Sequence, residues 1–338
     1  MITDAANFSS NTPLKVAVIG ASGIGKNHAR WFHQHGCDVA AFVGSSSDSV
    51  AKTQKVLDQG FGFTGRGYTN VAEMLRTERP NAVCVSSPPA LHSEHVMQCL
   101  DAGAHVLCEK PLVGDDTKPD AEVIKQARQL VDHAKLRGRL LGTQMQYAVA
   151  VSSILELSGL GTNGTPVEPV REWMMEMETK NVRPGRSHRN IWIDLSPHPL
   201  SVLQKVAGGA EIDWDTVECT VHEMETDARF RLHFPGERGT CAARIVVRCN
   251  PQRDVPLRRF TINGRIVDYT ASKNERGEFH AFLTAGDDRT IELPDFVDTL
   301  IGNFVEACRG NKPLIVTGAD GAQNVEWQLS ILAAAQRV

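Results

Sequence analysis

The chain has no excess of basic residues. Its 36 lysines and arginines are outnumbered by 40 aspartates and glutamates, for a formal net charge of −4 at neutral pH. Its overall field therefore gives no reason to bind nucleic acid or an anionic membrane. A long apolar run is also missing, since Val16 to Ile19 and Ile331 to Ala335 fall far short of the ~20 residues needed to cross a bilayer. Residues 1–13 lack the basic start and apolar stretch of a secretion signal and read as a polar tail, so a cytoplasmic location is expected. The eight cysteines form no C-x-x-C pair and no Cys/His ligand spacing. Several lie inside apolar patterns where a thiol packs as a small hydrophobe, so neither disulfides nor a metal site is expected. Internal repeats and low-complexity tracts are absent as well.

What remains is a globular mixture: 338 residues, 41% hydrophobic and 22% charged, long enough to divide into two cores. From Leu14 to about Gln146, strand-like runs (Leu14 to Ile19, Val39 to Val43, Ala82 to Val85, Val106 to Cys108, Leu140 to Thr143) alternate with amphipathic helical stretches. That alternation predicts βαβ units and a parallel sheet. After Tyr147 the pattern changes to one apolar helix, a loop from Gly159 to Pro166, and period-2 segments at Val170 to Glu178, Val217 to Glu225, Phe230 to Phe234, Ala242 to Cys249, Phe260 to Ile262 and Phe279 to Leu283. These predict a mostly antiparallel sheet. Helical period returns at Phe296 to Cys308 and Ala322 to Ala335. The expected fold is α/β: a Rossmann dinucleotide-binding domain over residues 1–146, then an α+β domain with an open, mostly antiparallel sheet over 147–338, whose terminal helix could pack back on the first.

The strand Val16-Ala17-Val18-Ile19 runs directly into Gly20-Ala21-Ser22-Gly23-Ile24-Gly25 and a following helix. In that context the glycine turn reads as a phosphate cradle. Gly20 permits the sharp turn, Ser22 and Gly23 let the backbone approach a pyrophosphate, and Gly25 allows close helix-to-strand packing. The N–H groups around Ile24 at the helix start bind the anion. Ser22 occupies the place of the usual second glycine. At the end of the second strand, where an acid normally holds the adenosine ribose, stand Gly44-Ser45-Ser46-Ser47. With no carboxylate there and Lys52 the nearest base, the cofactor is expected to be NAD or NADP, leaning to NADP.

Further on, Val83-Cys84-Val85-Ser86-Ser87-Pro88-Pro89-Ala90-Leu91-His92 and Ala102-Gly103-Ala104-His105-Val106-Leu107-Cys108-Glu109-Lys110-Pro111-Leu112 each end a strand at the crevice where open α/β sheets bind ligands. With the glycine turn, these segments resemble the Gfo/Idh/MocA family of NAD(P)-dependent oxidoreductases over roughly the first 145 residues. The resemblance implies that Ser86, Pro88, His92 and Glu109 border the cofactor, and that Lys110 sits beside the nicotinamide on the reacting oxygen. Trp192-Ile193-Asp194-Leu195-Ser196-Pro197-His198-Pro199-Leu200 resembles the family's D-x-x-x-H segment. By that match His198 exchanges a proton with the substrate and Asp194 orients it. The expected substrate is a sugar, polyol or similar small hydroxylated molecule.

Two departures stand out. Ser201 occupies a position that is often acidic in the family. Pro199 is tolerated only in a first helical turn, so Ser196 is expected as the cap, Pro197 at the first position and Asp194 just outside the helix. The resemblance implies that the loop holding Arg183, Arg186, His188 and Arg189 borders the substrate, where these residues could hold a carboxylate or a hydroxyl-rich ring, although such a charge run is more often a solvated or subunit-contact loop. His92 and His95 lack a third ligand, so no metal is predicted. One sheet face is expected to be covered in a homo-oligomer, a dimer or tetramer. The alternative to an enzyme is a dinucleotide-binding sensor on the same fold.

Overall fold

A computed structural model describes residues 13–162, 165–180, 187–235, 239–273 and 279–337. The first part alternates strictly: β1 (Lys15–Ile19), α1 (Gly25–Gln34), β2 (Asp38–Val43), α2 (Ser47–Phe61), β3 (Arg66–Tyr68), α3 (Val71–Glu78), β4 (Ala82–Val85), α4 (His92–Asp101), β5 (His105–Glu109), α5 (Asp120–Leu136) and β6 (Leu141–Gln144). All six strands pair in parallel in the order β3-β2-β1-β4-β5-β6. β4 is buried throughout and β1 nearly so, as an apolar run covered on both faces requires. The strand order reverses between β1 and β4, which opens a crevice at their carboxyl ends.

The second part comprises a 3-10 turn at Gln146–Ala150, α6 (Val151–Leu157), the short pair β7 (Gly161–Thr162) and β8 (Thr165–Pro166), β9 (Glu172–Thr179), α7 (His188–Leu195) and α8 (Pro197–Ala207). There follow β10 (Glu211–Val221), β11 (Glu225–His233), β12 (Thr240–Cys249), β13 (Arg258–Ile262), β14 (Arg265–Lys273), β15 (Phe279–Ala285), β16 (Thr290–Pro294), α9 (Phe296–Cys308), α10 (Gly318–Ala333) and β17 (Ala335–Arg337). Nine strands pair in the order β16-β15-β14-β13-β9-β12-β11-β10-β17. β9 with β12 and β10 with β17 are parallel, and the other neighbours are antiparallel. One face is apolar, with Trp173, Met175 and Met177 of β9 buried beside Phe260 and Ile262 of β13. The other face carries charged ladders such as Arg259 with Asp268 and Arg244 with Asp227.

Contacts divide the described residues into two units, one drawn from Met1–Gln144 and Val297–Val325, the other from Met145–Phe296 and Glu326–Val338. The division falls after Gln144, two residues before the boundary read from sequence, and most of α9 and half of α10 join the first unit.

The expected strand Val217 to Glu225 does not exist as one piece. His222, Glu223 and Met224 turn between β10 and β11, whose ends pair Val221 with Thr226. β3, β14 and β16 were not predicted, because each is short or carries polar residues along an exposed side. All eight cysteines are buried, and none is in a disulfide. No helix among the described residues is long and apolar enough to cross a membrane.

Candidate functional site

At the end of β1 the chain turns at Gly20 with φ +88°, and a Cβ there would meet the Ser86 carbonyl oxygen at 2.5 Å. A Cβ on Gly25 would meet the Gly20 carbonyl oxygen at 2.6 Å. Both glycines are therefore dictated by packing. Around Gly23 there is nothing within 4 Å, and Ser22, Gly23 and Ile24 are exposed. The start of α1 has no side-chain cap and no acid in its first turn. Its free N–H groups and the open space beside Gly23 fit a pyrophosphate.

At the end of β2, Ser46 is extended and its hydroxyl accepts a hydrogen bond from Ser49 N at 3.2 Å, so it caps α2. Ser45 beside it is exposed. A cavity of about 370 Å³ opens here, lined by Ser22, Lys26, Ser46, Asp48, Ser49 and Lys52 among others. Beside Lys52, expected from the sequence, stands Lys26, which the first turn of α1 brings to the same cavity.

The ends of β4 and β5 are tied together from beneath. His28, fully buried in α1, places Nε2 3.1 Å from Glu109 Oε1. Its Nδ1 lies 3.1 Å from Cys84 Sγ and 3.3 Å from Ser86 Oγ. Burial by itself would lower the His28 pKa, but the Cys84 sulfur and the Glu109 carboxylate raise it to about 10. For Glu109, burial works to raise the pKa, and His28 with Lys110 overcomes it, leaving the carboxyl below its usual range. Glu109 Oε2 also accepts a hydrogen bond from Lys110 N at 3.1 Å. Lys110 is thus held by the last residue of β5, and its peptide bond to Pro111 is cis.

His92 does a different job from the one read from sequence. Its Nδ1 and Nε2 lie 2.8 and 2.7 Å from the carbonyl oxygens of Pro111 and Ser87. Both ring nitrogens face protein carbonyls; the neutral ring donates to one of them, so His92 packs between the segment after Lys110 and the segment after β4. Burial holds its pKa below the ordinary value although both carbonyls favour the charged form. Ser87 Oγ is hydrogen-bonded to His95 Nδ1 at 2.9 Å. Pro88 is exposed ahead of the 3-10 turn Pro89–Leu91.

In the second unit α7 starts with a capping box: Ser187 Oγ accepts from Asn190 N, and Asn190 Oδ1 accepts from Ser187 N. His188 is its first residue, while Arg183 and Arg186 lie outside the described residues. Asp194 lies outside α8, as expected, but within a helix of its own, α7. Ser196 keeps helical dihedrals (φ −63°, ψ −23°) and does not cap α8 with its side chain; Pro197 is at the first turn as predicted. Ser196 N donates to the Trp192 carbonyl and Leu200 N to the Ser196 carbonyl, so the helical path runs through both prolines, and Asp194 and His198 stand four residues apart along it. Ser201, at the often acidic position, donates its hydroxyl to the His198 carbonyl at 2.7 Å.

The surroundings of His198 come from segments distant in sequence. Its ring lies edge-on to Tyr147, centroids 5.0 Å apart, and Tyr147 contacts Tyr269, Phe260 and Phe296 at 5.3, 6.5 and 5.8 Å. The guanidinium carbon of Arg258 lies 5.7 Å from the Tyr269 ring centre. Burial pushes both phenols above the usual tyrosine range, and Arg258 opposes that. A scan for tyrosines would have flagged two of these, since the chain has only three.

A larger cavity, about 980 Å³, opens at the opposite end of the parallel sheet and is lined by Arg76, Arg79, Arg139 and Arg309. The chain leaves α3, α4, α5 and α9 around it. Helix carboxyl termini carry partial negative charge, which those cations offset; the free N–H groups that suit a pyrophosphate are at the other end.

Residues 14–145 match the family model GFO_IDH_MocA, described as an oxidoreductase family with an NAD-binding Rossmann fold. The match spans the six-stranded parallel-sheet part of the chain, less than half of its length. The chain is 30% identical over 157 residues to a D-glucoside 3-dehydrogenase of Escherichia coli, covering 46% of this chain and 41% of that protein. Against an inositol 2-dehydrogenase of Pseudarthrobacter chlorophenolicus it is 35% identical over 112 residues, 32% of this chain and 30% of the relative. The matched spans thus cover less than half of those relatives. In structure the whole fold resembles a UDP-N-acetylglucosamine 3-dehydrogenase from Acidithiobacillus ferrooxidans, with TM-score 0.71, 19% identity, and 96% of this chain and 98% of that one covered. It likewise resembles a scyllo-inositol dehydrogenase from Lactobacillus casei with bound NAD(H) and scyllo-inositol, with TM-score 0.70, 15% identity and coverages of 96% and 97%.

Proposed function

We propose that the protein is an NAD(P)-dependent oxidoreductase that moves a hydride between the nicotinamide and a secondary alcohol or ketone of a sugar, polyol or similar hydroxylated molecule. The observation that carries this reading is that the uncapped glycine turn and Lys110 stand at the same carboxyl end of one parallel sheet. Gly20, Ser22, Gly23, Ile24 and Gly25 would hold the pyrophosphate, with Ser45 and Ser46 at the ribose. Ser86, Pro88 and Glu109 would border the nicotinamide, which when bound accepts or returns the hydride.

Lys110 donates a hydrogen bond to the reacting oxygen and stabilises its alkoxide character. His198 takes the hydroxyl proton in oxidation and returns it in reduction, with Asp194 orienting the ring. Arg183, Arg186 and His188 would contact the distal substrate hydroxyls. NADP is favoured, since Lys26 and Lys52 line the cavity after β2 where a 2′-phosphate would lie. The charged face of the nine-stranded sheet, which holds a groove of about 640 Å³, would be covered in a homo-oligomer.

The test is a screen of sugars, inositols and hydroxy acids with both cofactors, following reduced-nicotinamide absorbance, on wild type and Lys110→Ala. Turnover is expected in the wild type, with kcat reduced by about 10²-fold or more in the variant. Cofactor binding without turnover of any substrate would favour the sensor reading. Turnover unchanged by Lys110→Ala would remove Lys110 from the mechanism.

A further inference from the structure

The register of β13 puts Arg258 opposite Met177, Phe260 opposite Met175 and Ile262 opposite Trp173. Cross-strand partners share a face, and these five partners are buried. Arg258 is therefore a cation that continues an apolar stripe.

Three other arginines of this sheet are paired with carboxylates. Arg259, one residue on and facing the other way, forms two hydrogen bonds with Asp268 at 2.7 and 2.8 Å. Arg244 does the same with Asp227 at 3.0 and 2.8 Å. Arg248 reaches Glu176, Glu178 and Glu225. Arg258 has no such carboxylate among the described residues. Its Nε is buried and makes no hydrogen bond. Its remaining contacts are the Tyr147 hydroxyl, the Pro256 carbonyl at 3.5 Å and the face of Tyr269, all of them neutral groups. Asp295 is felt at the Tyr269 phenol but forms no ion pair with Arg258. Arg258 is half-buried; its Nε is shielded from water without a hydrogen bond, which is unfavourable, and the fork that the guanidinium presents matches the two oxygens of a carboxylate.

We propose that Arg258 is a specificity-determining residue that binds a carboxylate of the substrate, so that the preferred substrate is a hydroxylated acid such as a sugar acid. This rests on the oxidoreductase reading for the placement of substrate beside His198. Tyr147 and Tyr269 join Arg258 to His198 through ring contacts, which puts acid recognition and the proposed proton exchange in one cluster. Both phenols are neutral at physiological pH, and burial pushes their pKa values further up, so they do not repel a carboxylate.

The experiment compares matched pairs that differ only in the acid, D-glucose with D-glucuronate and D-galactose with D-galacturonate, on wild type, Arg258→Gln and Arg258→Lys. Wild type should favour one acid over its neutral partner in kcat/KM. Arg258→Gln should reduce that acid-to-neutral ratio by about 100-fold, mainly through KM, and Arg258→Lys should restore part of it. Equal losses for acid and neutral sugar, or a wild type indifferent to the acid, would overturn the inference while leaving the oxidoreductase reading intact.

Calorimetric titration of the NADPH-loaded protein with D-glucuronate and D-galacturonate, on wild type and Arg258→Gln, reads binding separately from turnover. Uronate binding that is lost in the variant, with no turnover of any sugar, would retain the acid site and sink the oxidoreductase reading. No uronate binding and no acid preference in turnover would overturn the acid site.

Discussion

His28 Nε2 lies 3.1 Å from Glu109 Oε1 in a setting where the imidazole is fully buried. The contact is off the ideal hydrogen-bond line, so its strength comes from charge. α1 supplies the cation and β5 the anion, and the next residue is Lys110. Because the folded pKa of His28 is about 10, above the ordinary 6.5, its stabilisation is complete below about pH 6.5 and is lost as the pH rises through 10.

His28→Gln should therefore destabilise the protein by about 3–5 kcal/mol near neutral pH, because it leaves a buried carboxylate without its partner. The pH dependence provides the sharper check. Urea denaturation of wild type at pH 6.5 and pH 10 should show stability falling over that window, and the variant should show a flatter profile. Parallel profiles would mean that His28 is neutral in the folded protein.

Gly20 and Gly23 should respond oppositely to alanine. At Gly20 the positive φ and the 2.5 Å approach to Ser86 predict a loss of roughly 2–4 kcal/mol in stability. At Gly23 a Cβ meets nothing within 4 Å, so Gly23→Ala should melt within about 0.5 kcal/mol of wild type while binding cofactor roughly 10-fold more weakly, since the methyl takes the space kept for the pyrophosphate. Thermal denaturation and nicotinamide fluorescence titration read the two effects separately. Unchanged cofactor affinity in Gly23→Ala would place the phosphates elsewhere.

Lys26 and Lys52 line the cavity after β2 together with Asp48. Replacing both lysines with methionine should raise the Kd for NADP about 10-fold or more relative to NAD, because only the 2′-phosphate needs their charge. Asp48→Asn should shift the ratio the other way. If the double variant changes both Kd values equally, the cavity does not discriminate between the cofactors.

The parts of this fold that were legible in the sequence are those whose signal is local. β1 and β4 read as strands because parallel strands covered on both faces are continuous apolar runs, and Glu109-Lys110-Pro111 is contiguous. α7 was missed because His188-Arg189-Asn190 looks like a loop; its signal was the Ser187–Asn190 box, in which asparagine replaces the usual glutamate or glutamine. β14 escaped because its second half is polar and exposed. The cluster around His198 draws on the segment after β6 and on α8, β13 and β14. Nothing local links those residues; only the register of the sheet does.

Helix α7 is fixed to α10 by a buried polar knot centred on Gln328, which is 1% exposed. Trp192 Nε1 donates to the Gln328 carbonyl at 2.8 Å, and Gln328 Nε2 donates to Ser196 Oγ at 2.8 Å and to the Ile193 carbonyl at 3.1 Å. Ser196 is the residue through which α7 passes into α8, so Gln328 holds the joint between Asp194 and His198. Gln328→Leu fills similar volume but removes the amide donors, leaving a buried hydroxyl and carbonyl without a partner, which costs about 1–3 kcal/mol for each group. The variant should melt earlier than wild type. If the joint positions His198, kcat should also fall several-fold at a temperature where the protein remains fully folded. A lower melting temperature with unchanged kcat would confine Gln328 to stability and leave the orientation of His198 to its contact with Tyr147.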